Sequence, residues 1–209
     1  ATYVFMFILF GAFLAATRTS EFFNDLALAL AGRYRGGPAK VSVIASALMG
    51  TISGSAQANV ATTGAFTIPL MKKIGYPDYF AGAVEASAST GGILMPPIMG
   101  ATAFIMSSFL GIPYVKIMLA GFAPAILYFL GIMFMVDLQA KRQGMRGLPP
   151  EEVPSLSKTM AERGHMLIPL GFIIYMLVAG YTPLFSAMAG LVAIIVVSSL
   201  RPSTRMSLK

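Results

Sequence analysis

Of the 209 residues, 56% are hydrophobic and 11% are charged, against a charged share of ~25% in a soluble domain; apolar segments far longer than the ~10 residues of a barrel strand make this an all-α integral membrane protein. The net charge of +7 sits in short basic clusters beside apolar segments, the pattern of cytoplasmic loops and not of a nucleic-acid surface. With no cysteine and one histidine, a disulfide frame, a thiolate nucleophile and the common zinc sites are excluded, and no phosphate-cradling G-x-x-x-x-G-K-[ST] loop occurs.

Residues 1–17 are apolar from the outset, and about 16 such residues are short of the ~20 that a span requires. Ala1 is not Met, and with no charged region before the segment and no cleavage pattern after it, the segment is not expected to be a signal peptide. The segment is expected to be the tail of a transmembrane helix, and the chain a piece of a longer protein. Residues 18–37 mix Phe22, Phe23, Leu26, Leu28 and Leu30 with Glu21, Asn24, Asp25 and Arg33. That predicts an amphipathic helix lying at the interface, closed by Gly36-Gly37-Pro38.

Residues 38–75 hold two apolar arms, 41–49 and 62–71, around a polar stretch at 50–64 that carries no positive charge. An arm of about nine residues reaches ~15 Å, half a bilayer. Lys40 opens the first arm and Lys72-Lys73 closes the second, so both ends belong on one side. The expected element is a re-entrant helical hairpin with its polar tip near mid-membrane.

Residues 76–112 read as a discontinuous transmembrane helix. Pro77 sits at a helix start, and half-helices at 79–90 and 98–110 flank a break at 91–97 containing Gly91-Gly92 and Pro96-Pro97. Residues 113–139 return across the membrane, 140–164 form a polar cytoplasmic loop, 165–200 form a last transmembrane pair and 201–209 a cytoplasmic tail. This arrangement puts Arg18, Arg33, Arg35, Lys40, Lys72, Lys73, Lys141, Arg142, Arg146, Lys158, Arg163, Arg201, Arg205 and Lys209 on one side, 14 of the 15 basic residues, with only Lys116 opposite. The positive-inside bias makes that side the cytoplasm. Reading the hairpin as a single full span would put Arg33, Arg35 and Lys40 outside.

Two polar breaks at bilayer depth must face protein or a wet cavity, and paired breaks mark transporter binding sites. At the hairpin tip, Ser53, Ser55, Gln57, Asn59, Thr62 and Thr63 offer oxygens, and Gly50, Gly54 and Gly64 let the backbone turn. Unwound carbonyls suit a hard cation and helix N-termini suit an anion. The competing structural role is close helix packing by small residues. In the second break, a double glycine with a double proline exceeds what a simple kink requires, and Pro97 frees carbonyls one turn earlier. Ser53, Gly54, Ser55, Asn59, Thr62, Gly91, Gly92 and Pro96 are the candidate substrate and cation site. Glu85 is the candidate for cation coupling, because a carboxylate inside a membrane helix is costly; the alternative is a Glu85 close enough to the cytoplasmic interface to stay solvated. No catalytic residue is expected: Glu85 has no evident acid or base partner at depth, and His165 reads as an interfacial histidine.

Arg35-Gly36-Gly37-Pro38-Ala39-Lys40, the tip at 50–59, Ile68-Pro69-Leu70-Met71-Lys72-Lys73-Ile74-Gly75-Tyr76, residues 86–97 and Gly111-Ile112-Pro113-Tyr114 resemble the large membrane subunit of TRAP transporters (tripartite ATP-independent periplasmic transporters). The match covers roughly residues 1–155 and is closest to the fused permeases that work with TAXI-type binding proteins. The resemblance implies an elevator-type secondary transporter of the bacterial inner membrane, in which a mobile domain carries the hairpin and the broken helix. It implies a periplasmic substrate-binding protein of TAXI type, a small membrane subunit or fused equivalent, and a second inverted repeat that this chain does not show. Cargo would be a small carboxylate, and the coupling ion sodium or a proton, with no other cofactor. A sodium site would draw on Ser55, Asn59 and Gly91. The family tip often reads Gly-Ser-Ser, two residues, then Asp; here Ala56 follows Ser55, and Asn59 stands where the acid would be. One hydroxyl and one charge are lost, so coupling would pass to Glu85. The rival class is a non-transporting membrane scaffold or assembly subunit, whose polar tips merely pack helices. A channel also uses re-entrant loops, and saturable uptake separates it from a carrier.

Overall fold

A computed structural model describes residues 2–199 and places them in ten α-helices. They are α1 (Thr2–Ala16), α2 (Thr19–Ala31), α3 (Gly37–Ser53), α4 (Ala56–Lys73), α5 (Asp78–Gly91), α6 (Ala101–Leu110), α7 (Tyr114–Arg142), α8 (Leu156–Arg163), α9 (Leu167–Val178) and α10 (Pro183–Ser199). No strand occurs among the described residues. The expected tail at 201–209 lies outside them.

Two stretches, Tyr114–Arg142 and Pro150–Val178, are each long and apolar enough to cross a membrane. A third arises if Phe5–Ala16 and Thr19–Ala31 count together, although they meet at 70°. That bend falls at Arg18, whose φ of 60° is left-handed. Thr17 eases it by donating to the Leu14 carbonyl at 2.7 Å. The helix α2 thus turns away from the axis of α1 and buries Phe22, Phe23, Leu26 and Leu28, while Glu21 and Leu30 stay exposed.

The core has three parts. Phe7, Phe10 and Leu14 of α1 pack with Phe22 and Phe23 of α2 and with Ile173, Leu177 and Ile194 of the α9–α10 pair. A second cluster joins α3, α4, α5 and α7 through Ala39, Val43, Met71, Ala81, Val84, Ala88, Ile132 and Val136. Its small side chains let the backbones approach closely, as membrane helices do where lipid is no worse a solvent than a neighbour. In the third, Leu148 and Val153 of the segment after α7 cover Ala27, Leu28 and Ala31 of α2 and Val41 and Ala45 of α3.

Three elements differ from the sequence expectation. The polar stretch at 50–64 is almost wholly helical, and the turn between the arms is confined to Gly54 and Ser55. Its threonines bond back along their own helices: Thr51 to the Leu48 carbonyl at 2.6 Å, Thr62 to Ala58 at 2.7 Å and Thr63 to Asn59 at 2.8 Å. Such bonds give each hydroxyl a partner within its own helix. The arms therefore have 17 and 18 residues, about 25 Å each at 1.5 Å per residue, close to the hydrocarbon thickness and not half of it. The second break is wider than 91–97, because α6 begins only at Ala101. The loop at 140–164 contains the helix α8, tied to α2 by Arg163, which reaches Glu21 at 3.3 Å and Asp25 at 3.4 Å.

Candidate functional site

The helices α3 and α4 run antiparallel, since Ser42 and Thr67 meet at one level, and Ser46 and Thr63 at another, against the same Glu85 carboxylate. Gly54 makes the turn with a φ of 58°, a left-handed conformation that favours glycine. A side chain there is also barred: a Cβ would come within 2.0 Å of the Met99 carbonyl oxygen. Ser55 then caps α4, its hydroxyl accepting from the Ala58 N–H at 3.3 Å.

The two breaks meet. A Cβ on Gly50 would lie 2.4 Å from Gly92 Cα, and one on Gly92 would lie 2.6 Å from Asn59 Nδ2. The junction is thus built from two glycine backbones with Asn59 wedged beside them. Asn59 is fully buried and donates to the Ser46 carbonyl at 2.8 Å, which ties the arms together just below the tip. The segment between α5 and α6 is held by Tyr114 of α7, whose hydroxyl lies 2.7 Å from the Pro97 carbonyl and 2.6 Å from that of Ile98. Tyr114 is itself fixed by stacking on Phe104, with centroids 4.3 Å apart. The carbonyls freed by the break are therefore those of Pro97 and Ile98, not ones a turn earlier, because Pro97 lies outside any helix.

Two cavities flank the tip. One, of about 340 Å³, lies between α1 and the hairpin and reaches Ser53, Ser55 and Thr62. The other, of about 190 Å³, is bounded by Ser53, Gly54, Ser55, Met99 and Ala101. The second lies between two helix starts, since Ser55 caps α4 and Ala101 opens α6. First-turn N–H groups lack intrahelical acceptors and carry the positive end of the helix dipole, so they present donors to an anion.

The structure gathers Ser53, Gly54 and Ser55 at the cavities, with Thr62 on the wall of the larger one. Asn59 and Gly92 sit one layer below, in the packed junction. Gly91 turns away, and a Cβ on it would meet the Tyr128 ring at 2.6 Å. Pro96 is buried in the segment between the half-helices. Ser55, Asn59 and Gly91, expected to share a sodium ion, face three different neighbours: the Ala58 amide, the Ser46 carbonyl and the Tyr128 ring.

Glu85 is not solvated. It is 0% exposed, and both carboxylate oxygens are ringed by hydroxyls. Ser42 donates to Oε2 at 2.8 Å and Ser89 to Oε1 at 3.0 Å, Thr63 and Thr67 make close contacts to Oε1 and Oε2, and Ser46 stands 3.4 Å from Oε1. Ser42, Ser46 and Thr67 do not stand out as polar breaks because they lie singly in apolar helices. Their signal is spacing: 42/46, 63/67 and 85/89 are three i,i+4 polar pairs, each on one helix face.

The charged groups lie at the opposite end of the hairpin from the tip. Asp137 takes Arg35 and Lys40 at 2.6 Å each, Lys72 pairs with Asp78 at 3.0 Å and Lys73 with Glu152 at 2.7 Å. Both arms thus end in one charged layer.

A family model for the DctM component of tripartite ATP-independent periplasmic transporters matches residues 1–209. The chain belongs to the DctM family. It is 32% identical over 143 residues to the C4-dicarboxylate TRAP transporter large permease protein DctM of Pseudomonas aeruginosa, covering 68% of this chain and 33% of that protein. It is 33% identical over 136 residues to the 2,3-diketo-L-gulonate large permease YiaN of Escherichia coli, covering 65% and 32%. It is 28% identical over 181 residues to the ectoine large permease TeaC of Halomonas elongata, covering 87% and 41%. The chain spans about a third to two-fifths of the length of these relatives. DctM membership makes it a multi-pass protein of the bacterial inner membrane and a member of a transporter family, not of an enzyme family.

Proposed function

We propose that this chain forms part of the substrate-translocating unit of a TRAP permease that takes up a small organic acid in symport with sodium or a proton. The observation that carries the proposal is the cavity between the starts of α4 and α6, bounded by Ser53, Gly54 and Ser55. A cavity bordered by the starts of two helices suits a carboxylate, and the relatives are permeases named for a C4-dicarboxylate, a diketo-L-gulonate and ectoine. The hairpin, α5 and α7 share one core cluster; α1, α9 and α10 share another, which Met49 and Ile52 of the hairpin and Tyr114 and Met118 of α7 also join. In an elevator cycle this second cluster would be the contact along which a moving unit slides against a scaffold. The charged layer at the bases of both arms fits a hairpin that enters and leaves on the cytoplasmic side. Substrate would arrive on a periplasmic binding protein, of the TAXI type, with a small membrane subunit or its fused equivalent completing the assembly. Glu85 takes the coupling role that Asn59, lacking a charge, cannot fill.

The test is uptake by the complete permease and its partner proteins in liposomes, with C4-dicarboxylates, keto acids and ectoine offered under separate sodium and proton gradients. Saturable uptake that is lost in Ser55→Ala, with the protein still assembled, is expected. Loss of assembly with no uptake in any condition marks the scaffold role instead, and non-saturable flux marks a channel.

A further inference from the structure

A buried carboxylate without a cation beside it must have its lone pairs filled. The nearest charged groups on the packed helices are all engaged elsewhere: Lys40 of α3 with Asp137 of α7, and Lys72 and Lys73 of α4 with Asp78 and Glu152. Tyr128 of α7 donates to the Ser87 carbonyl at 2.8 Å. Hydroxyls alone therefore serve Glu85 among the described residues. Ser42, Thr67, Thr63 and Ser89 supply four hydrogens to its two oxygens, which matches the roughly four acceptor positions of an ionised carboxylate.

A second arrangement satisfies the same atoms when Glu85 carries a proton. Thr63 holds the key position. Its oxygen touches Glu85 Oε1, and it also lies 2.8 Å from the Asn59 carbonyl and 3.3 Å from Asn59 Oδ1. A threonine hydroxyl has one hydrogen and two lone pairs. With Glu85 ionised, that hydrogen points to Oε1. When a proton from water binds Oε1, the new O–H donates to Thr63 Oγ1, and the Thr63 hydrogen turns to Asn59. No further atom moves, and the Asn59 side-chain oxygen, whose donor among the described residues is Thr63, is served only when Glu85 carries the proton. Asn59 is the residue wedged against Gly92, where hairpin and broken helix meet.

We propose that Glu85 is a proton-exchange site whose state is relayed through the Thr63 hydroxyl to Asn59 at the junction of the hairpin with the broken helix. A proton, not sodium, is the ion it takes. Ser42 and Ser89 donate to the carboxylate oxygens themselves; an incoming proton leaves those hydrogens in place, whereas a metal ion would need the hydroxyls to turn them away and present lone pairs. The proposal rests on the permease reading only where it makes this proton the coupling ion; proton exchange itself is measurable without transport.

The experiment is infrared difference spectroscopy on the purified complete permease, taken between acidic and alkaline pH in sodium and again in potassium. A carbonyl stretch of a protonated carboxyl group is expected to appear on acidification, to be the same in both salts, to vanish in Glu85→Gln and to shift in Thr63→Val. Val keeps the Thr63 shape, so that variant carries the test even where Glu85→Gln does not fold. A spectrum in which no carboxyl band responds to either substitution overturns the proposal. So does a band that sodium abolishes at constant pH, which would make the cage a cation site. If the band behaves as expected but no carboxylate is moved by the wild type, the permease reading falls and the proton site stands.

Discussion

Tyr114 shows how one side chain sets the geometry of the second break. Its hydroxyl meets two buried carbonyls and carries one hydrogen. Tyr114→Phe leaves both carbonyls without it, and an unsatisfied buried polar group costs about 1–3 kcal/mol. Thermal unfolding in detergent should show a lowered midpoint of that size. Tyr76 gives the opposite sign. Its ring is buried, and its hydroxyl has no hydrogen-bond partner; burial, with the Asp137 charge adding to it, pushes its pKa up to about 12. Removing an unserved hydroxyl removes a desolvation cost, so Tyr76→Phe is expected to leave the protein as stable as before or about 1 kcal/mol more so. A fall in the midpoint for that variant would show that the hydroxyl has a partner in the complete permease.

At the scale of elements, the contact between hairpin and broken helix depends on the absence of side chains. A Cβ on Gly92 would run into Asn59 and Gly50. Gly92→Ala should push α5 away from α3 and α4 and abolish uptake. Gly82 lies within α5, and a Cβ there meets nothing within 4 Å. Gly82→Ala should leave uptake intact and raise stability by up to about 1 kcal/mol, the helix-propensity difference. Equal loss of uptake in both variants would argue against the junction. Glu85 was legible as a single residue, because a carboxylate in an apolar helix stands out. Its cage was not: Ser42 and Ser46 sit in what reads as an apolar arm, and only folding shows which of three helices each hydroxyl faces. Gly91 errs in the other direction. It is adjacent to Gly92 in sequence, yet one turns to the hairpin and the other to Tyr128, as neighbouring positions on a helix must diverge by about 100°.

For the whole molecule, the decisive property is sidedness. The absence of cysteine from this chain allows single-cysteine variants to report it. Arg35 lies just before α3, and Lys72 lies in the last turn of α4. If the hairpin is re-entrant, Arg35→Cys and Lys72→Cys, each in a cysteine-free permease, should react with a membrane-impermeant maleimide from the cytoplasmic side only. Labelling from opposite sides would make residues 38–75 a single net span instead of a hairpin. Arms of about 25 Å carry the tip deep into the bilayer, because 17 and 18 residues reach much farther than two short arms with a long polar tip between them, but both ends stay on one side whatever that depth.

Composition alone settled that the chain is helical and lives in a bilayer, since so few charges cannot coat a soluble surface. Glycine and proline marked the turns at Gly54, Pro77 and Gly111-Ile112-Pro113, because backbone freedom and the lost N–H are properties of single residues, but Gly50, Gly64, Pro69 and Pro124 stand inside helices. The width of each break was decided only by the fold. Whether a threonine hydroxyl turns to the carbonyl behind it or to another helix depends on what packs beside it. Whether a buried acid is solvated, paired or caged depends on which faces of three separate helices meet, a relation between distant segments that no local spacing contains.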